Sequence, residues 1–386
     1  MLKIPQKTEY VIDTLIGHGY EAYIVGGCVR DMLMGKQPHD FDVTTSALPQ
    51  EIERLFPKTV ATGIKHGTVT VIVDKTPIEV TTFRREGDYN DCRHPETVEF
   101  VTDLEIDLSR RDFTVNAMAY NQKTGLKDFF GGREDLELKI LRAVGNPEKR
   151  FCEDALRILR LFRFACVLGF QIEKNTLEAA IKCSEKLRNI SSERIMSELI
   201  RAVMGENLQA ISALTECGAL RFLGVEKSPD FSAITSLPPK QELRLFAFLQ
   251  LSGADTLKAL KVLKAPNKIS DYCRLLESCL DLPLPESKAE LKRILCGCPP
   301  EIYKDLLIIK SAAFNENTET AQEFLKQVTE NGEPYLTKHL KIGGDELVAL
   351  GFSGKEVGTV LKKLQELVIS NPEANTPEGL MEFLEN

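Results

Sequence analysis

The hydrophobic pattern of this chain changes its period once, and that change decides most of what the chain can fold into. Up to about residue 145, apolar residues fall in short strand-like runs, EAYIVGG, DFDVTT and HGTVTVIVDKTPIEVTTF, separated by turn-forming residues. Beyond Pro147 they recur at helical spacing, as in EDALRILRLFRFACVLGF, NTLEAAIKCSEKL and SSERIMSELIRAVM. A mixed α and β first part followed by an almost entirely helical remainder is expected. Breaks at SLPPKQE (236 to 242) and DLPLPESK (281 to 288) punctuate the second half, and a Gly-rich segment, KIGGDELVALGFSGKEVG, lies near the end.

At 386 residues the chain should hold two or three domains. With 43% apolar and 27% charged residues it has the composition of a globular protein, which excludes disordered and collagenous classes. No stretch approaches the roughly 20 apolar residues that span a bilayer, and residues 1 to 20 lack the apolar run of a signal peptide. A cytoplasmic location is expected, with no membrane contact. The ten cysteines are scattered and read as reduced thiols packed as small hydrophobes. The formal charge of −8 argues weakly against a nucleic-acid partner, but from Lys139 to Arg201 there are 13 Lys or Arg against 8 Asp or Glu. A basic middle in an acidic chain is a polyanion footprint, or simply a set of solvated helix faces.

Four short segments carry chemistry. Ile24 and Val25 run into Gly26-Gly27, followed by CVRDMLMG; glycines at a strand end let backbone N–H groups approach a phosphate, and Arg30 adds a fixed charge, although a Gly-Gly pair is also an ordinary tight turn. Asp40-Phe41-Asp42 opens another strand-like run, so the two carboxylates project to one face. Like charges side by side call for a cation, and hard Mg²⁺ takes carboxylate and phosphate oxygens; the plain alternative is an Asp-rich turn. Glu79 in PIEVTTF is a third carboxylate or an exposed strand Glu. His39-Asp40 superficially suggests an HD phosphohydrolase, which the lack of further ligands rejects, since only His339 lies past residue 94. Arg110-Arg111-Asp112-Phe113 sets a basic pair against a short apolar helix, with Arg111 able to reach a triphosphate.

The fourth segment begins at Glu153-Asp154 and is expected to open a helix on which Asp154, Arg157, Arg160 and Arg163 recur every third residue as one oblique polar ridge. An intrahelical ion pair is the simpler reading. The functional one has definite content. Cytosine and adenine both present an amino donor beside a ring-nitrogen acceptor, whereas uracil and guanine present the reverse order. A fixed carboxylate and guanidinium therefore accept C and A and reject U and G, at about 1–3 kcal/mol per unsatisfied group.

In this order and spacing GGCVRD, HDFDVTT, RRDFTVNAMAY and EDALRILR resemble the class II nucleotidyltransferases, the DNA polymerase β-like family of tRNA CCA-adding enzymes and bacterial poly(A) polymerases. The match is dense from about Tyr23 to Arg201. It implies an α+β head with a small, mostly antiparallel sheet over residues 1–145, a helical neck over 146–205, a body over 206–280 and a tail over 281–386 that meets the tRNA acceptor arm. It implies that Asp40 and Asp42 hold Mg²⁺ and are catalytic, that Gly27, Arg30 and Arg111 bind the triphosphate, that Asp154 and Arg157 read the base, and that Arg160 and Arg163 contact the nucleotide. The implied reaction is template-independent addition of CCA to tRNA from CTP and ATP, with release of pyrophosphate. Lys65-His66-Gly67-Thr68 resembles CCA-adding members rather than poly(A) polymerases, and GDYNDCRHPET (87 to 97) resembles the flexible loop that enzymes adding only CC lack. An enzyme adding only the final A, a poly(A) polymerase and, from another class, a non-catalytic RNA-binding protein are the alternatives.

Overall fold

The period-two runs of the first part become the strands of one sheet. In the computed structural model, which describes residues 2–87 and 97–385, the strands are β1 (Ala22–Val25), β2 (Val43–Thr45), β3 (Thr59–Gly63), β4 (Thr68–Val73), β5 (Thr76–Thr82), β6 (Arg84–Glu86), β7 (Val98–Phe100), β8 (Met118–Asn121) and β9 (Gly125–Asp128). Seven of them form a sheet in the order β3-β4-β5-β2-β1-β8-β9, and β6 pairs separately with β7. Every pairing in the large sheet is antiparallel except β2 with β5, so the expected mostly antiparallel sheet is present. β1 and β2 are buried along their whole length. Tyr23 and Val25, two apart on β1, share a core cluster with Phe83, Leu104, Leu108 and Ala119, as the strand period requires.

Helices α1 (Gln6–Gly17), α2 (Gly27–Leu33) and α3 (Pro49–Leu55) pack on this sheet, and α4 (Leu104–Ser109) and α5 (Gly132–Glu137) complete the first part. The next helices are α6 (Pro147–Glu153), α7 (Leu156–Leu168), α8 (Lys174–Lys182) and α9 (Ser192–Val203). Asn146 starts α6 by accepting from Lys149 N at 3.0 Å, with Pro147 at the first helical position. The apolar positions of α7, among them Ile158, Leu159, Leu161, Phe162 and Ala165, are buried, and α7 packs along α9. A two-residue parallel ladder joins β10 (Ile140–Leu141) to β11 (Gln171–Ile172), and β11 is a strand inside the stretch expected to be helical.

Asp154 does not open a helix. It sits in extended conformation (φ −137°, ψ 104°) in the break between α6 and α7, and its Oδ1 accepts from Leu156 N at 3.0 Å. The short Asp side chain competes for a backbone donor that a continuous helix would leave to its own ladder, so the helix restarts after it.

The chain divides into two compact units, Met1–Ser228 with Val262–Lys264, and Pro229–Lys261 with Ala265–Asn386. All the elements above lie in the first. The second is helical among the described residues. There the buried Arg244 donates to Thr235 O at 3.0 Å and to Leu237 O at 3.0 Å, satisfying carbonyls at the end of helix Phe231–Ser236. The Gly-rich segment forms helices Gly344–Ala349 and Lys355–Ser370, held by a cluster of Ile342, Leu347, Val360, Leu364, Val368 and Leu380.

Gly132 is where α5 touches the turn Thr114–Asn116: a Cβ there would lie 2.2 Å from Thr114 O. Gly132→Ala is expected to destabilise the first unit by about 1–3 kcal/mol, read as a lower urea midpoint at unchanged slope. An unaltered midpoint would show that α5 docks without this close approach.

Candidate active site

The acid pair lies at the mouth of β2. Asp40 and Asp42 precede Val43, and Asp42 O accepts from Val25 N at 3.0 Å, which continues the β1–β2 ladder by one step. Both side chains reach solvent. The protein still walls Asp42 on its inner side, and this burial pushes its carboxyl up; Arg111 pulls it down and Asp40 pushes it up again, leaving it above the ordinary carboxylate range. Two crowded carboxylates that the protein only partly balances suit a hard divalent cation. Glu79 is carried close to Asp42 by the parallel β2–β5 register, in which Val43 faces Val80. Among the described residues, however, no group of three or more His, Cys, Asp or Glu is placed to hold a metal ion. At this strand mouth Asp40 and Asp42 could supply two oxygen ligands, and a cation bound there would complete its shell with water and phosphate oxygens.

Three consecutive residues connect this pair to the helices beyond. Arg110 O accepts from Arg157 Nη2 at 2.9 Å, while its guanidinium donates to the fully buried Asp107 at 2.8 Å. Arg111 lies 3.7 Å from the other oxygen of Asp107, and its Nε is buried without a hydrogen-bond partner. Burial works against its charge, which Asp107 and more weakly Asp112 and Asp42 support. Arg110 also meets Glu86 at 3.2 Å, and Glu86 in turn holds Arg84, so two carboxylates, Asp107 and Glu86, serve the three guanidinium groups of Arg84, Arg110 and Arg111. Gly26, at φ +81°, is the glycine the geometry demands: a Cβ there would sit 2.9 Å from Arg111 Nη1. At Gly27 a Cβ would meet only ordinary contact, at 3.6 Å from Arg30 Nη2.

Asp112 is buried and accepts from Arg160 Nη2 at 2.6 Å and from Asn116 Nδ2 at 3.1 Å. Burial alone pushes its carboxyl up, but Arg160 and then Asn116 outweigh this and hold it down at about 2. Arg30 is also buried, its Nη1 on Asn116 Oδ1 at 2.7 Å and its Nη2 on Asp31 at 2.7 Å. Phe164 collects three guanidinium groups, Arg30 at 5.2 Å, Arg160 at 5.4 Å and Arg163 at 3.9 Å from its ring centre. Arg163 is paired with the buried Glu198 of α9.

At the α6–α7 break the two base-reading candidates are adjacent but not paired with each other. Arg157 Nη1 donates to Glu153 at 2.8 Å and Arg150 O at 3.2 Å. Asp154 is held by Arg194 of α9, Nη2 to Oδ2 at 2.8 Å and Nη1 to Oδ1 at 3.3 Å. Beside them a cleft of about 460 Å³ opens, lined by Arg110, Lys149, Arg150 and Glu153 among others. The 65–68 segment forms the turn into β4. Residues 88–96, the bulk of the GDYNDCRHPET loop, lie outside the described residues.

The sequence reading did not single out Asp107, Arg194 or Phe164. Asp107, three residues before the arginine pair, and a lone Arg in SSERI carry no periodic signal, and Phe164 reads as an ordinary apolar helix position. Only the fold shows that they face the charged site.

The sheet that carries the two carboxylates falls within one family model, that of a nucleotidyltransferase head, and the helix break follows it in the chain. Residues 22–142 match the family model for the poly A polymerase head domain, and residues 169–227 that for the probable RNA and SrmB-binding site of polymerase A. The chain is 35% identical to a CCA-adding enzyme of Lactobacillus helveticus, over 97% of this chain and 96% of that protein. It is 48% identical to one from Oceanobacillus iheyensis over 52% of this chain and 50% of that protein. Among solved structures it is similar to the Bacillus stearothermophilus CCA-adding enzyme in complex with CTP, with a TM-score of 0.81, 32% identity and coverage of 98% of this chain and 97% of that one. The chain belongs to the CCA-adding enzyme family of class II tRNA nucleotidyltransferases. Among the described residues, no helix is long and apolar enough to cross a membrane.

The Asp112–Arg160 contact predicts a pH signature. A carboxyl held below its unfolded value contributes stability that is present above about pH 4 and is lost as pH falls toward 2. Asp112→Asn is therefore expected to cost roughly 2 kcal/mol at pH 7. Denaturant titrations should show the gap between variant and parent shrinking as the pH is lowered through 4. A gap independent of pH would mean that the carboxylate charge does not hold this contact.

Proposed function

We propose that this chain completes the 3′ end of tRNA by adding C, C and A in turn from CTP and ATP, without a nucleic-acid template and with release of pyrophosphate. One observation supports this best: Arg110 holds Arg157, Arg111 stands beside Asp42, and Asp112 holds Arg160. Three successive residues are thus each fixed to a different part of what a nucleotide needs, so that triphosphate and base are met from one short segment.

Asp40 and Asp42 hold the divalent cation in this reading, which we take to be Mg²⁺; when bound it balances triphosphate charge and promotes attack by the tRNA 3′-hydroxyl. The protein's own groups do the rest. Arg111, with an unpartnered Nε and only half of Asp107's compensation, offers donors to phosphate oxygens. Backbone at Gly27 lies at the start of α2, and Arg30, its fork engaged by Asp31 and Asn116, adds positive charge from behind. Arg160 and Arg163, ion-paired with Asp112 and Glu198, stack on Phe164 and are the α7 arginines we assign to nucleotide contact.

Base choice falls to Asp154 and Arg157. Arg157 spends its Nη1 protons on Glu153 and Arg150 O and one Nη2 proton on Arg110 O, so Nε and one Nη2 proton stay available for a ring nitrogen. Asp154 supplies the acceptor for the amino group. We assign residues 1–145 to a catalytic head, 146–205 to a neck that reads the nucleotide, and 206–280 and 281–386 to a body and a tail that meet the tRNA acceptor arm, the whole working in the cytoplasm. Lys65-His66-Gly67-Thr68 favours a tRNA substrate over poly(A) synthesis, and the 87–97 segment favours A addition over an enzyme limited to CC; an enzyme adding only the final A would share that segment.

The test supplies each nucleotide separately to tRNA lacking CCA and to tRNA ending in CC. Incorporation of C on the first and of a single A on the second is expected; A addition only, or unlimited A tailing, would move the chain to one of the alternatives. Asp40→Ala and Asp42→Ala should each slow extension by roughly 10³-fold, the order expected when cation stabilisation of the transition state is lost.

A further inference from the structure

Asp154 is the residue whose orientation decides which hydrogen-bond pattern the site accepts, and the structure surrounds it with one specific partner. Arg194, projecting from α9, grips the carboxylate side-on through Nη2 to Oδ2 at 2.8 Å and Nη1 to Oδ1 at 3.3 Å. Leu156 N occupies a further site on Oδ1 at 3.0 Å. About four lone-pair sites are available on a carboxylate. Three are taken, two on Oδ1 and one on Oδ2, so Oδ2 keeps one free acceptor whose direction is fixed by the plane of the guanidinium.

We propose that Arg194 is a specificity-determining positioning residue, which aims the free lone pair of Asp154 at the exocyclic amino group of the incoming base. The inference rests on the base-reading role proposed for Asp154 and deepens it. Its physical content is that a carboxylate alone does not discriminate. Uracil and guanine present a ring N–H donor where cytosine and adenine present an acceptor. A carboxylate free to turn about its Cβ–Cγ bond can accept from that N–H as readily as from an amino group. Held by a planar fork, it meets a donor at one place only. Arg194 is itself only partly buried, with 27% of its side chain exposed, so its truncation removes the grip without opening a cavity in the core.

The experiment measures single-nucleotide addition, as kcat/KM, for CTP against UTP on tRNA lacking CCA and for ATP against GTP on tRNA ending in CC, in the parent enzyme and in the Arg194→Met, Arg194→Lys and Asp154→Asn variants. Each ratio compares two nucleotides on one protein sample, so partial loss of folded enzyme cancels. Arg194→Met is expected to lower both ratios by about tenfold or more, the order of one charge-assisted hydrogen bond. Arg194→Lys, which keeps the charge but not the fork, should fall between. Should Arg194→Met slow all four nucleotides by one factor while Asp154→Asn still changes the ratios, the positioning role is overturned and base reading by Asp154 stands. Unchanged ratios in both variants would overturn the base-reading role and the inference with it.

Discussion

A nucleotide is a long, strongly charged object, and a protein that must hold both its ends needs the groups for each end tied to a common rigid piece. Here that piece is the segment Arg110–Asp112, and its firmest anchor is the part-buried contact of Asp112 with Arg160, 2.6 Å across. Burial of the Asp112 charge alone would be costly; Arg160, with Asn116 as a further donor, compensates it. The sheet side reaches the same segment through Arg111 and Asp42, and α7 through Arg157. Helix and sheet are thereby registered to each other by charge and hydrogen bonds, not by apolar contact alone.

The distribution of charge follows from the same constraint. Asp107 is fully buried and faces two guanidinium groups, and it also accepts from Arg84 N at 3.2 Å. It makes the basic pair tolerable without neutralising it. The acid pair is left in the opposite condition, crowded and only partly compensated. Arg111 balances Asp42 only in part, so negative charge remains at the acid pair and an unused donor remains on Arg111; a cation and a phosphate arriving together satisfy both, a way of coupling their binding.

Much of this was legible in the sequence, for identifiable reasons. The strands follow from short strand-like runs and α7 from apolar residues at helical spacing, while the mostly antiparallel arrangement of the sheet is what the family resemblance implies. Asp40 and Asp42 could be placed on one face because they are two apart next to a strand. What the sequence reading missed came from local competition and from long-range approach. Asp154 was expected inside a helix and stands in a break, because its side chain captures Leu156 N. Within the Gly26-Gly27 pair the position that needs glycine is Gly26, by its φ of +81°, which no local pattern announces. Arg30 looked like an open phosphate donor and is buried against Asn116. Arg194 gave no signal of its own; its importance lies wholly in the residue it holds.

The central claim is that acid pair, basic pair and helix break meet one nucleotide at once, and it is tested most directly by a crystal structure of this chain with a non-hydrolysable CTP analogue and a divalent cation. The account predicts phosphate oxygens within hydrogen-bond distance of Arg111, the cation on Asp40 and Asp42, and the cytosine amino group on Asp154 in the same molecule of ligand. A nucleotide whose triphosphate sits at the acid pair while its base points away from the α6–α7 break, or one bound elsewhere on the chain, would contradict it.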